Sequence, residues 1–241
     1  MQILIFVSKR IGLSLLKQTL IAQDDIFLVL GNDDRDLLMD FAIKSNIPFI
    51  EIENYRAEDF QKKSFDWILN LWSPFIFRKE DLELGIETLN VHPSYLPIAR
   101  GRDPIIHSVL SNNVLGVTFH RITIGIDEGP IFHQVSLDYR FPFTGAELYK
   151  RVIELCIAEW SSIWPKIRQK TISSVEQKKE STETNTRRRT EELRVKLWKD
   201  FSPEEKNLLQ WLCVYNFNAD YCAVIEIDEK RFMSRLVFEE I

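Results

Sequence analysis

Short apolar runs alternate with amphipathic stretches along the first part of the chain. The runs cover residues 3–7, 26–30, 47–52 and 67–72. They are rich in Ile, Val and Phe, which is typical of strands buried on both faces of a sheet. Between them, residues 12–23 and 33–45 carry apolar side chains three and four positions apart, as helices packed on a sheet do. The alternation predicts an α/β fold with a Rossmann-like, mainly parallel sheet and helices on both faces.

The second half of the chain extends this pattern and closes it with a long helix. Residues 115–122 and 131–137 predict two more strands, which are joined by a glycine-containing loop and return the chain to the sheet. Thr144 and Glu147 form a capping-box pattern ahead of apolar residues at helical spacing that continue to Pro165. We therefore expect a long helix that ends at this proline and closes the main domain.

A small helix and hairpin are predicted near the C-terminus. Ser202 is a candidate N-cap, with Pro203 at the first helical position and Glu205 at the capping-box position. Residues 222–227 and 231–238 flank a turn-like segment and predict a β-hairpin. The expected fold is thus an α/β domain with a small helix and hairpin appended.

The composition changes between these two parts. Residues 171–200 are polar and carry charges of both signs, which indicates a linker or an irregular connection. We therefore divide the chain into a main domain, 1–170, and a second region, 171–241, which combines the linker with the small helix and hairpin.

Charge and cysteine content restrict the classes of function. The formal net charge is −5, which argues against a nucleic-acid partner because such binding relies on a broad basic surface. Cys156, Cys213 and Cys222 lack the even count and close spacing of a disulfide framework or a zinc site. The apolar run at 3–7 is too short for a secretory signal, and no stretch of about 18 apolar residues suggests a membrane span. We expect a cytoplasmic protein without a metal centre.

Asn90 and His92 carry the first candidate chemistry. They lie two positions apart on a predicted strand, so their side chains project from the same face. Pro93 ends this strand, and ligands of open α/β sheets bind at the carboxyl ends of the strands. An amide donor beside an imidazole suits a carbonyl group that becomes an oxyanion.

Asp127, between two glycines, is the candidate that orients the imidazole or accepts a proton. Taken alone, it is an ordinary turn residue, and His92 alone is an ordinary hydrogen-bonded histidine. The combination of all three residues favours catalysis.

Two segments resemble the core of the folate-dependent formyltransferase family. Residues 89–104, LNVHPSYLPIARGRDP, contain the family's N-x-H-P-S-x-L-P loop ending in R-G, and residues 116–134, GVTFHRITIGIDEGPIFHQ, contain its D-x-G-x-I segment. Both patterns are complete and stand in the family's order. The resemblance covers approximately residues 1–170, so that domain corresponds to the family's catalytic domain.

The resemblance implies a catalytic triad of Asn90, His92 and Asp127 and a reaction without a metal. A substrate amine would attack the formyl carbon of 10-formyltetrahydrofolate, and Asn90 and His92 would hold the resulting oxyanion. Asp127 would orient His92 and accept a proton, directly or through water.

A folate site is implied by the same resemblance. The segment before the triad resembles the family loop that cradles the pterin through backbone groups, and the backbone before Asp127 completes the site. The residues concerned are Ser73, Pro74, Phe75, Ile76, Phe77, Arg78, Ile124, Gly125 and Ile126. The alternative for the first segment is a surface loop whose aromatic side chains pack into the core.

The region after residue 170 helps to predict which amine accepts the formyl group. It lacks the larger basic domain of the transfer-RNA members, whereas the glycinamide ribonucleotide members usually stop soon after the long helix. It resembles the sugar N-formyltransferases, which are commonly homodimers and formylate nucleotide-linked amino deoxysugars for surface glycans such as the O-antigen of lipopolysaccharide. A dTDP- or UDP-linked amino sugar is therefore the expected partner.

The candidate contacts to this nucleotide sugar are Tyr95, Arg100, Gly101, Arg102 and Asp103. The arginines supply cations for a diphosphate, although each is alternatively a solvated charge or a residue that shapes the loop. Other readings of the chain also stay open at this point. They are a purine-pathway formyltransferase, a formyltetrahydrofolate hydrolase and a non-catalytic folate-binding module.

We expect structural roles for the remaining histidines and for the helical tryptophans. His107 is predicted on a helix after Pro104, and His120 and His133 on the two strands around Asp127. The tryptophans in helical stretches are expected in the core or at a dimer seam. These tryptophans are Trp160, Trp164 and Trp211.

Overall fold

The computed structural model describes most of the chain. The described residues are 1–21, 23–140, 143–178, 184–194, 201–206, 208, 223–227 and 229–234. The chain divides into two compact units, Met1–Thr190 and Glu191–Ile241. The division into folding domains at residue 170 stays a prediction.

A seven-stranded sheet forms the first unit, in the order β3-β2-β1-β4-β5-β6-β7. Its strands are β1 Gln2–Val7, β2 Asp25–Leu30, β3 Phe49–Glu51, β4 Phe65–Leu71, β5 Gly85–His92, β6 Leu115–His120 and β7 Ile131–Leu137. The helices of the chain are α1 Lys9–Thr19, α2 Arg35–Lys44, α3 Lys79–Leu82, α4 Pro104–Leu110, α5 Gly145–Arg168 and α6 Arg187–Arg194, with a 3₁₀ helix at Ala57–Phe60.

The strand directions confirm the predicted Rossmann-like sheet. Strands β1 to β5 are parallel to one another. Strand β6 then runs antiparallel to β5, and β7 runs antiparallel to β6. The sheet is therefore mainly parallel, with its two antiparallel pairings beside the strand that carries Asn90 and His92.

Strand β1 shows how the sheet separates two hydrophobic layers. Ile3, Ile5 and Val7 face a cluster that includes side chains of α1, α2, α4 and α5. Leu4 and Phe6 face a second cluster, formed with the 3₁₀ helix and the connection between β4 and β5. Because successive strand residues point to opposite faces, one apolar strand supplies both layers.

The long helix α5 begins at the predicted capping box. Thr144 Oγ1 accepts a hydrogen bond from the N–H of Glu147 at 3.2 Å, and the Glu147 carboxylate accepts one from the N–H of Thr144 at 2.7 Å. These two bonds satisfy donors that have no partner within the helix.

Replacing Thr144 with alanine is expected to lower the free energy of unfolding by about 1 kcal/mol, because the Glu147 N–H loses its side-chain acceptor. Urea unfolding followed by far-UV circular dichroism measures the change. Ser64→Ala is the control, since it removes an exposed hydroxyl group outside α5. An equal loss in both variants would contradict the cap assignment.

The predicted end of α5 at Pro165 is wrong, because the helix continues to Arg168. A proline within a helix removes one backbone donor. Here it lies in the last turn, where Trp164 and Ile167 are each 1% exposed. Burial of these side chains offsets the missing bond, since each large apolar side chain contributes on the order of 2 kcal/mol.

The expectation of an irregular connection over residues 171–200 is wrong at α6. Thr186 accepts a hydrogen bond from the N–H of Arg189 at 3.2 Å, as an N-cap does. The buried Thr190 on the same helix contacts His107 of α4, with Oγ1 and Nε2 3.1 Å apart. The charged composition of this segment did not indicate a helix, because α6 is stabilised by its N-cap and by a tertiary contact.

The second unit contains the predicted cap and hairpin. Ser202 and Glu205 exchange the two capping-box hydrogen bonds, at 2.8 and 3.2 Å. Strands β8 Ala223–Ile227 and β9 Lys230–Ser234 form an antiparallel pair, which confirms the hairpin. Trp211, Cys213 and Cys222 lie outside the described residues.

Candidate active site

Asn90 and His92 lie at the carboxyl end of β5, and Pro93 follows the strand directly. Asn90 is aligned with Asn70 of the parallel neighbour β4 and with His120 of the antiparallel neighbour β6. The end of β5 is therefore flanked by polar side chains from both adjacent strands.

Asp127 reaches these two residues from the loop between β6 and β7. Its Oδ1 accepts a hydrogen bond from Asn90 Nδ2 at 3.3 Å, and its Oδ2 lies 3.5 Å from His92 Nδ1. The backbone N–H of Gly101 donates to Oδ2 at 2.8 Å. The structure thus brings the three predicted catalytic side chains together, with the arginine-glycine loop beside them.

His92 is buried, with 5% of its surface exposed. Its Nε2 lies 3.4 Å from the carbonyl oxygen of Ala99, opposite the contact with Asp127. Burial lowers the pKa of His92 below its ordinary value, although the nearby carboxylate of Asp127 acts in the other direction. The imidazole is therefore neutral at pH 7.

The carboxyl group of Asp127 favours its charged form, whereas the His92 imidazole favours its neutral form. Burial by itself raises its pKa, but interactions with His92, His120 and the Gly101 N–H outweigh burial and hold the pKa well below the usual range. At neutral pH the cluster contains an ionised carboxylate beside a neutral imidazole.

His120 belongs to this cluster, although the motif does not indicate it. Its Nδ1 lies 2.7 Å from the carbonyl oxygen of Arg121, and its Nε2 lies 3.5 Å from Oδ1 of Asp127. Asn90 Nδ2 lies 3.0 Å from that nitrogen. The antiparallel register of β5 and β6 creates this contact, and no local sequence signal specifies that register.

The amide of Asn90 is held by two side chains. Its Nδ2 lies 3.0 Å from His120 Nε2 and donates to Asp127 Oδ1 at 3.3 Å. A substrate oxygen that accepts from this amide competes with the longer contact, which is 3.3 Å to Asp127. The donor is therefore already oriented before an oxyanion develops, as electrostatic catalysis requires.

The predicted folate loop follows β4, the neighbour of β5. Asn70 fixes its start, because its side chain accepts from the Ser73 N–H at 2.9 Å and donates to the Ser73 carbonyl at 3.1 Å. The rings of Phe75 and Phe77 each lie 4.7 Å from that of Phe6, between ring centres. Both aromatic side chains thus join the second hydrophobic cluster.

Three large apolar side chains stay exposed in the two predicted folate segments. Ile76 is 71% exposed, Ile124 69% and Ile126 45%. Pro74 and Gly125 are their sequence neighbours. At the end of the first segment, Arg78 forms ion pairs with its own helix α3 at Glu80 and Asp81. A folate role for these segments remains a prediction.

Arg100 is held by protein groups. It is 8% exposed, and its two terminal nitrogens donate to Glu128 at 3.2 Å and to Gln177 at 3.3 Å. The backbone N–H of Arg102 donates to the carbonyl oxygen of Asn185 at 2.9 Å. These contacts match the loop-shaping alternative for Arg100.

The other predicted acceptor contacts lie on the same loop. Tyr95 is half-buried near Gly116 of β6. Asp103 precedes α4 in the left-handed region, at φ 50°, and its Oδ1 lies 3.5 Å from Nη1 of Arg187. Gly101 is the member of this group that contacts Asp127. Contacts of these residues with a nucleotide sugar stay predictions.

Neither a metal cluster nor a membrane-spanning helix occurs in the part of the chain that the structure describes. There, no group of three or more His, Cys, Asp or Glu side chains is arranged to hold a metal ion. No helix within the same residues is both long enough and apolar enough to cross a bilayer.

The sequence around the polar cluster at β5 is similar to that of formyltransferases. Residues 82–158 match the family model described as Formyl transferase. This segment includes Asn90, His92 and Asp127, and the match confirms the resemblance that the motifs indicated.

Two curated relatives match over short segments. Methionyl-tRNA formyltransferase from Chloroflexus aggregans is 42% identical over 65 residues, which are 26% of this chain and 21% of the relative. A dTDP-4-amino-4,6-dideoxyglucose formyltransferase from Mycobacterium bovis is 31% identical over 71 residues, which are 30% of each chain. The match therefore spans less than a third of the length of these two relatives.

Solved structures match over a much larger share of the chain. A sugar N-formyltransferase from Shewanella sp. FDAARGOS_354 has a TM-score of 0.72 at 16% identity and covers 100% of this chain and 99% of its own. An N-formyltransferase from Helicobacter canadensis, in complex with folinic acid and dTDP-3-aminofucose, has a TM-score of 0.67 at 21% identity over 77% and 71%. These similarities show that the chain has the formyltransferase fold.

Proposed function

We propose that the protein transfers a formyl group from 10-formyltetrahydrofolate to the amino group of a nucleotide-linked amino deoxysugar. The observation that carries this proposal is the convergence of Asn90, His92 and Asp127 at the carboxyl end of β5, with contacts of 3.3 and 3.5 Å to the carboxylate. An amide donor, an imidazole and an ionised carboxylate are the groups that formyl transfer to an amine requires.

In the proposed reaction the acceptor nitrogen attacks the formyl carbon and forms the new C–N bond. The electron pair of the C=O bond moves to oxygen, and Asn90 Nδ2 and His92 donate hydrogen bonds to the oxyanion. Collapse of this intermediate breaks the bond to N10 of the folate. One proton passes from the attacking nitrogen to N10, so the products are a formamide and tetrahydrofolate.

The lowered pKa of Asp127 defines its proposed part in these steps. A carboxylate with so low a pKa is a weak resting base, since general bases work best with a pKa near the working pH. It stabilises positive charge strongly, either on the attacking nitrogen or on His92 while that residue transfers a proton. We assign Asp127 this electrostatic role together with the orientation of His92 and the relay of the proton, directly or through water.

The exposed isoleucines support the folate part of the proposal. Ile76 lies in the segment after β4, and Ile124 and Ile126 lie directly before Asp127. The flat rings of a bound folate would cover these exposed side chains. Backbone groups of residues 73–78 and 124–126 would hold the polar edge of the pterin. The folinic acid bound by the Helicobacter canadensis protein agrees with this assignment.

The names and ligands of the similar proteins support a nucleotide sugar as acceptor. The Mycobacterium bovis relative is named for a dTDP-linked amino sugar, and the Helicobacter canadensis structure contains one. The net charge of −5 is unfavourable for transfer RNA, the substrate in the name of the Chloroflexus aggregans relative. We propose a dTDP- or UDP-linked substrate, a cytoplasmic homodimer and a role in supplying precursors for surface glycans.

Incubation of the protein with 10-formyltetrahydrofolate and a panel of dTDP- and UDP-linked 3-amino and 4-amino deoxysugars tests this function. Mass spectrometry should detect one formylated sugar. The product should disappear in Asn90→Ala and persist in Asn54→Ala, a control at an exposed asparagine. Release of formate and tetrahydrofolate with no acceptor modified would favour a hydrolase and contradict the proposal.

A further inference from the structure

We propose that Gln177 is a positioning residue for Asp127, although it lies fifty positions away in the segment after α5. This inference rests on the proposed formyl transfer, since it assigns Gln177 a part in that reaction. It makes the segment that follows α5 a component of the proposed active site.

Gln177 holds the Asp127 loop at two points. Its Nε2 donates to the carbonyl oxygen of Asp127 at 2.9 Å and to that of Gly129 at 2.8 Å. Its Oε1 accepts from Arg100 Nη2 at 3.3 Å, and Arg100 Nη1 reaches Glu128 at 3.2 Å. Two carbonyls require donors and a guanidinium requires an acceptor, so the orientation of the Gln177 amide is defined by its partners.

The segment that carries Gln177 is itself anchored to the sheet. Val175 and Ile131 exchange two backbone hydrogen bonds, of 2.7 and 2.8 Å. Ile131 begins β7, the strand that follows the Asp127 loop. The anchor therefore places the side-chain amide of Gln177 in a fixed position relative to the loop.

The conformation of Asp127 explains why such a restraint is needed. Its φ is 52°, in the left-handed region, which costs a residue other than glycine about 1 kcal/mol. Glycines at 125 and 129 add freedom to the same loop. Without the Gln177 amide, the loop would relax, and the carboxylate would lose its contacts of 2.8 Å to the Gly101 N–H and 3.5 Å to His92.

Gln177→Leu tests the proposal, because it keeps the side chain's approximate size and removes both donors. Glu176→Gln is the matched control at the exposed neighbouring position. Hydrogen exchange of the Gly101 amide, measured by NMR on ¹⁵N-labelled protein, reports the contact with Asp127 independently of activity. We expect at least about tenfold faster exchange at Gly101 in Gln177→Leu and no change in the control.

Kinetics supply the second readout. A small displacement of the carboxylate affects the reaction more than binding, so we expect kcat to fall by about 10- to 100-fold with little change in KM for the folate substrate. Should Gln177→Leu fail to fold, Gln177→Glu keeps the acceptor for Arg100 while removing the two donors, and the same results are expected.

Unchanged exchange at Gly101 in the folded variants would overturn the inference, whatever the activity of the protein. If the unmodified protein transfers no formyl group, the proposed function fails, yet the exchange measurement still decides whether Gln177 positions Asp127. The two failures are therefore distinguishable.

Discussion

Replacing His92 with asparagine is expected to lower kcat for formyl transfer by about 10³-fold at pH 7, while folate binding and the fold are retained. His92 is 5% exposed and lies between the Asp127 carboxylate and the Ala99 carbonyl, so the substitution removes the imidazole at the centre of the cluster. Asparagine preserves a donor but cannot transfer a proton. Single-turnover kinetics with saturating folate separate this loss from any change in binding.

His107→Gln is the matched control for this substitution. His107 is buried to a similar degree, at 7% exposure, but it lies on α4 and contacts Thr190 rather than Asp127. We expect its kcat to stay near that of the unmodified protein. If His92→Asn retains near-normal kcat, or if both variants lose activity equally, the catalytic assignment of His92 is wrong.

Replacing Trp160 with alanine is expected to lower the free energy of unfolding by about 3–5 kcal/mol, the typical cost of truncating a fully buried tryptophan. Trp160 is fully buried on α5, and its ring lies 5.2 Å from that of Trp164 and 5.9 Å from that of Phe119, between ring centres. Its indole N–H donates to the carbonyl oxygen of Leu15, so the side chain joins α5 to α1 across the core. Urea unfolding followed by far-UV circular dichroism measures the effect.

Tyr149→Ala, on the same helix, is the comparison for this prediction. Tyr149 is 40% exposed, and its removal should change the stability by no more than about 0.5 kcal/mol, as at most surface positions. A loss below about 1.5 kcal/mol for Trp160→Ala would mean that the core collapses around the deletion and that α5 depends less on this side chain.

The position of the proposed catalytic pair was predictable because local geometry determines it. Asn90 and His92 are two positions apart on one strand, and the proline that follows fixes where the strand ends. Asp127 is separated from them by a whole strand, and spacing alone made it only a candidate. The resemblance to the family motif added Asp127 to the proposed triad, which the spacing of residues 89–129 did not do.

The predicted folate loop contains side chains whose direction the sequence motif does not specify. Phe75 and Phe77 occur in a segment that resembles a ligand-binding loop, yet their rings pack on Phe6. An apolar side chain in a loop can pack into the core or stay exposed to solvent, and the sequence of the loop does not specify which. The outcome depends on the space between the sheet and the connections that cover it. In this protein, Phe75 and Phe77 fill that space, and Ile76 stays exposed.

By itself, the sequence determined the alternation of strands and helices, the capping boxes and the placement of Asn90 and His92 on β5, because each depends on residues within a few positions of one another. Only the tertiary structure decided that His120 contacts Asn90 and that Gln177 holds the Asp127 loop. Both contacts follow from strand register and from the path of the chain after α5. These are set by the packing of the whole sheet, and no short stretch of sequence encodes them.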